Sequence, residues 1–213
     1  MKHCFLVLAL LITALAQSAE KLNIEFKEPV TLDIAGKQYK IDGQFPEGKG
    51  LAIGGSHAFS VPGSSLVGEN CGSLFFSFSI GEMQPPLNIQ RPLLTLRTGS
   101  RKSIGYNYYK DKSLQFSFAE LTQGILFAFP EKLVEGKVYE LGCTWDGNVV
   151  RLYYGGKMIA EKVQPFPLPR NLVRNLSLGP YKDGWFAPRT WANDTFVRNL
   201  KVYDEALSPA AVA

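Results

Sequence analysis

Histidine is nearly absent from this chain of 213 residues, which holds only two, His3 and His57. Cysteine is almost as scarce, at three: Cys4, Cys71 and Cys143. With so few imidazoles, Cys143 lacks an evident base, and nucleophilic catalysis of the Cys–His kind finds no support. Charge of one sign is lacking too. The 23 basic and 19 acidic residues leave a formal net charge of +4, too mild to imply a nucleic-acid partner. The densest basic cluster, Arg97 to Lys102, reads as a solvated turn. No apolar run approaches the roughly 20 residues of a transmembrane anchor. The 20 glycines and 13 prolines recur too often for a long helix. Internal repeats, low-complexity tracts and composition shifts are missing, so a single domain is expected. Pro165–Pro169 (PFPLP) is too short for a linker and reads as an extended connection between two sheets.

What is present starts with an ordered leader. Met1-Lys2-His3 is a short basic region, Phe5 to Leu15 is apolar apart from Thr13, and Ala14-Leu15-Ala16 offers small residues around a cleavage point. Ser18 and Ala19 are nearby alternatives. Residues 1–19 are therefore expected to be a signal peptide and residues 20–213 the mature domain. The location expected is secreted, periplasmic or extracellular, with no membrane anchor after cleavage. Two cysteines would survive, Cys71 and Cys143. An even pair in an oxidising compartment allows a disulfide, and two buried thiols are the alternative.

The most informative stretch is Tyr139 to Lys162. Leu141, Cys143 and Trp145 alternate with Gly142 and Thr144, the period of a strand with one buried face. Asp146-Gly147-Asn148 interrupts, Val150, Leu152 and Tyr154 resume the alternation, and Gly155-Gly156 turns the chain into a third strand at Met158. Gly72 to Ile80 alternates as cleanly, with Leu74, Phe76, Phe78 and Ile80 on one face. Further strands are expected at 22–27, 38–41, 57–61, 93–97, 104–109, 114–118, 125–129, 175–178 and 195–203. Ser208-Pro209 should cap a final short helix. Many short strands with regular turns imply an all-β, antiparallel two-sheet β-sandwich.

Several segments, in order, carry a resemblance. They are Pro46–Leu51, Phe59–Pro62, Gly72–Phe78, Arg91–Leu96, the Cys143–Gly147 hairpin with Leu152-Tyr153 and Gly156-Lys157, and Val197–Ser208. Together they resemble a LamG-like domain of the concanavalin A-like lectin/glucanase superfamily, across nearly the whole mature chain. The resemblance implies a jelly roll, with Trp145 and Tyr203 as core residues and Asp146 as a turn residue. Glucanases of this fold carry Glu-x-Asp-x-x-Glu, which sets two carboxyl groups about 5.5 Å apart. Here no glutamate is followed two residues later by aspartate, and the histidine–tyrosine–arginine set of the related lyases is not visible. The domain is therefore expected to be non-catalytic.

The resemblance also implies calcium in many relatives. Where the family's last strand commonly carries an acidic pair, this chain has Arg198-Asn199. Asp183 and Asp194 are weak metal candidates beside the leading expectation of no cofactor. Asn175-Leu-Ser177 and Asn193-Asp-Thr195 are glycosylation sequons. Recognition points to 181–191, where Tyr181, Trp185 and Trp191 stand beside Lys182, Asp183 and Arg189. Flat rings stack on a sugar's apolar face while charged side chains bond its hydroxyls. Trp185, Arg189, Trp191 and Tyr181 are thus the candidate ligand contacts; the alternative has both tryptophans folding inward to close one end of the sandwich. A glycan is the leading partner; an extracellular protein-interaction or structural module is the alternative reading, and a divergent polysaccharide-active enzyme the distant third.

Overall fold

Alternating apolar and polar side chains organise the chain into strands whose apolar faces need a second layer to cover them. The computed structural model describes residues 20–54, 59–82, 91–98, 103–109, 111–118, 125–164, 167–168, 170–179 and 194–212. The first sheet contains β1 (Glu20–Glu25), β4 (Leu51–Ile53), β6 (Cys71–Ile80), β11 (Val138–Asp146), β12 (Val149–Tyr154), β13 (Lys157–Val163) and β15 (Thr195–Tyr203). Its order is β1-β15-β6-β11-β12-β13, with β4 also paired to β15. The second sheet contains β5 (Phe59–Pro62), β7 (Arg91–Thr98), β8 (Ser103–Tyr108), β9 (Ser113–Phe118), β10 (Ile125–Lys132) and β14 (Val173–Leu178). It is ordered β10-β9-β8-β7-β14-β5, and β2 (Val30–Ile34) and β3 (Lys37–Ile41) form a separate hairpin. All pairings are antiparallel, giving the all-β sandwich expected of the sequence.

The central meander forms as its turn residues dictate. Asp146 pairs with Val149 across Gly147-Asn148. Gly155 and Gly156 both take positive φ, 55° and 74°, the twist that suits a two-residue hairpin. Leu74, Phe76, Phe78 and Ile80 of β6 face the second sheet, where Phe76 meets Tyr106 edge-on at 5.1 Å. Trp145 is fully buried and reaches Phe118 across the interior. Beneath it lies Gly72, where a Cβ would come within 2.4 Å of the indole.

Tyr203 is a correction. The ring is half-exposed on the outer face, where it meets Phe75 and its hydroxyl donates to Glu20. The pairing of β15 with β6 shifts between Val197 and Asn199, so the alternation inverts midway and puts Leu200 and Val202 inside but Tyr203 outside. Strands β2 and β4 were not expected, and β4 has only three residues.

The lateral sides differ. Phe26, just after β1, contacts Phe59 of β5, bridging the sheets on one side. On the other side β13 and β10 are the edge strands. A register shift in β12–β13 leaves Ile159 unpaired, and β10 carries Pro130 and an irregular register before Lys132. The final helix, α1 (Pro209–Val212), forms as expected, with Ala211 N donating to Ser208 Oγ. Among the described residues no helix is long and apolar enough to cross a membrane.

Candidate functional site

Three connections leave from one end of the sandwich. Residues 54–58 join β4 to β5, 81–90 join β6 to β7, and 179–194 join β14 to β15. Their stems are adjacent: Thr195 pairs with Ile53 and Ile80, and Leu178 pairs with Phe59 and Leu94. Backbone bonds from Gly81 N to Asp194 O (2.6 Å) and from Gly179 N to Leu93 O (2.9 Å) tie them together. The candidate contacts Tyr181, Trp185, Arg189 and Trp191, together with Asp183 and His57, lie outside the described residues, as do residues 1–19.

Between the sheets at this end sits a buried polar cluster. Arg91, at the start of β7, pairs with Asp194, their side chains 1% and 5% exposed. Arg91 Nη1 also donates to the Tyr108 hydroxyl at 3.3 Å, and that hydroxyl is hydrogen-bonded to Thr195 Oγ1. Burial, then the nearby Asp194 carboxylate, pushes the Tyr108 hydroxyl up to about 12. The carboxylate of Asp194, the weak metal candidate, is thus paired with a guanidinium. Among the described residues no three His, Cys, Asp or Glu side chains group to hold a metal ion. Arg91 is the buried charge the sequence hid: it reads as the polar start of an apolar run, and its partner lies 103 residues away.

The outer face of the second sheet is built of hydroxyls and amides. One row across the strands runs Ser60, Ser177, Thr95, Gly105 and Ser117. The next row toward the loop end contains Asn107 and Gln115, directly paired, and the row on the other side contains Asn175 and Arg97. Ser60 and Ser177 bond at 3.0 Å, and Tyr109 donates to Gln115 Oε1 at 3.1 Å. The period-2 spacing of Asn107 with Tyr109, and of Gln115 with Ser117, was the available signal for this face. Its described strand positions carry no carboxylate.

Cys71 and Cys143 form no disulfide with each other. Cys71 stands opposite Asp146 and Cys143 opposite Leu74, three residues along the ladder and on opposite faces of the sheet. A bridge cannot pass through a sheet. The half-buried Cys71 thiol donates to Asp204 O at 3.3 Å. Burial pushes the Cys143 thiol up to about 12, which leaves it neutral and unreactive at physiological pH.

No family model matches the chain. No curated protein matches it. Solved structures do. A Trypanosoma rangeli sialidase in complex with 2,3-difluorosialic acid is 12% identical, with a TM-score of 0.66 over 92% of this chain and 32% of that one. The Ruminococcus gnavus IT-sialidase CBM40 bound to α2,3-sialyllactose is 13% identical, with a TM-score of 0.55 over 91% of this chain and 97% of that one. The same CBM40 bound to α2,6-sialyllactose gives 13% identity and a TM-score of 0.54, over 91% of this chain and 100% of that one. The chain therefore spans about a third of the trypanosomal enzyme, at 32%. At these identities the likeness shows a lectin-like β-sandwich fold.

Proposed function

We propose that this chain is an exported, non-catalytic glycan-binding domain of the LamG-like, concanavalin A-like type. The observation that carries the reading is the outer face of the second sheet, where the partly exposed Asn107, Gln115 and Ser117 present amides and a hydroxyl side by side. Such groups donate and accept, as recognition of sugar hydroxyls requires. The absence of a carboxylate from its described strand positions favours binding over hydrolysis, which needs two flanking the bond. The sialyllactose complexes of CBM40 add support from a domain of similar fold. We assign completing contacts to Tyr181, Trp185, Arg189 and Trp191, whose segment joins β14 to β15 at the adjoining end.

A glycan array that includes α2,3- and α2,6-sialyllactose tests this reading. Asn107→Ala and Gln115→Ala are each expected to weaken binding by about tenfold, or about 1.4 kcal/mol, with unchanged melting temperature. Undiminished binding in both variants removes this face from the site, and a silent array removes glycan binding. Export is tested separately, by mass spectrometry of the protein from its native host. Loss of 16 to 19 N-terminal residues is expected, and an intact Met1 overturns it.

A further inference from the structure

The first sheet has a recess of its own on the face turned away from the core, about 260 Å³ in volume. Register explains its floor. Lys201, Phe75, Gly142 and Tyr153 form one straight row across β15, β6, β11 and β12. Gly142 leaves the space that Phe75 fills: a Cβ there would come within 2.1 Å of the phenyl ring. Phe75 in turn meets Tyr153 at 5.8 Å and Tyr203 at 6.3 Å, so three rings pave the sheet.

The wall is the segment after β15, folded back over the strands. Ser73 Oγ donates to Glu205 O at 2.6 Å and accepts from Leu207 N at 2.8 Å, which pins that segment across the sheet. Leu207, Ala211 and Val212 then line the recess together with Tyr203 and Gly156.

Two of its charged groups are not engaged in ion pairs: among the described residues Lys201 and Glu140, both lining the recess, have no ion-pair partner. The Tyr153 side chain is 1% exposed, and its buried hydroxyl has no hydrogen-bond partner. A buried polar atom left unpaired is costly, and native structures rarely leave one so. Cation and anion together favour a ligand without net charge, since a charged one meets its like on one side. The volume lies below the roughly 300–1,000 Å³ of sites for drug-sized ligands, which suits one ring and not an extended chain. Paved aromatics suit a ring with an apolar face.

We infer that the recess on the outer face of the first sheet binds one uncharged hexopyranose ring. The ring stacks on Phe75 and Tyr203, with Lys201 donating to its hydroxyls and Glu140 accepting from them. This site lies on the opposite sheet from the polar face above and stands independently of it.

The test is backbone amide NMR of the full chain titrated with methyl α-glycosides of glucose, galactose and mannose, with glucuronate as the anionic control. At least one neutral glycoside is expected to shift amides of Gly142, Gly156, Lys201 and Tyr203. Lys201→Ala and Tyr203→Ala are each expected to weaken that binding tenfold or more, while Asn107→Ala leaves it unchanged. If either variant fails to fold, the wild-type shift map and the milder Lys201→Gln, expected to weaken binding at least threefold, decide instead. The inference is overturned if none of the three glycosides shifts these amides, if glucuronate binds there more tightly, or if Lys201→Gln binds as wild type does. None of those results touches the polar face of the second sheet, whose own variants report on it.

Discussion

Trp145→Ala is expected to destabilise the domain by about 3–5 kcal/mol in denaturant melts, the usual range for deleting a large core aromatic. The indole is fully buried, stands over Gly72 and contacts Phe118 of the facing sheet. Its loss opens a void that the neighbouring strands, locked in register on both sides, are poorly able to close. The indole N–H has no hydrogen-bond partner among the described residues. Trp145→Phe keeps most of the packing and removes that orphaned donor, so its cost should stay within about 1.5 kcal/mol. A loss below about 1 kcal/mol for Trp145→Ala would show that the ring contributes little to the core.

The second large effect concerns the buried ion pair. Arg91→Ala and Asp194→Ala are each expected to cost about 3–5 kcal/mol, because each breaks a buried ion pair by removing one partner. The double replacement Arg91→Met with Asp194→Leu should recover most of that loss, since apolar side chains of similar size remove both desolvation costs together. A double-mutant cycle measures the coupling, and additive single losses would refute it. The same cluster predicts an alkaline transition. Tyr108 ionises near 10 in an unfolded chain but only at about 12 here, with burial as the leading cause. Its raised value means that this contribution is complete below pH 10 and is lost as pH rises toward 12. Tyr108→Phe should flatten stability against pH across that window.

Local alternation made much of the sandwich legible. Leu74 to Ile80 and Leu141 to Trp145 needed no more than period-2 spacing and turn residues to be placed on the inner face. Other features depend on what a distant strand does. The resemblance implies a core position for Tyr203, but a register irregularity before Asn199 reverses the faces. Strand β4 is three residues long and exists because Thr195 to Val197 offers it a partner. Arg91 and Asp194 meet through topology alone. The polar face of the second sheet is legible in the residues of β8 and β9, whereas the 181–191 reading falls outside the described residues.

The unpaired rims of both sheets bear on how this molecule meets others. An exposed backbone rim is a template for strand addition by a foreign chain, and proteins blunt it with short strands, bulges, prolines and charge. Here β4 and β5 are only three and four residues long, and Pro62 closes β5. On the opposite side Ile159 bulges from β13 between Lys157 and Lys162, while Pro130 removes a donor from β10. Intermolecular ladder growth is therefore obstructed along β4, β5, β10 and β13. Such a body resists edge-to-edge association at these strands and leaves its broad faces as the larger surfaces.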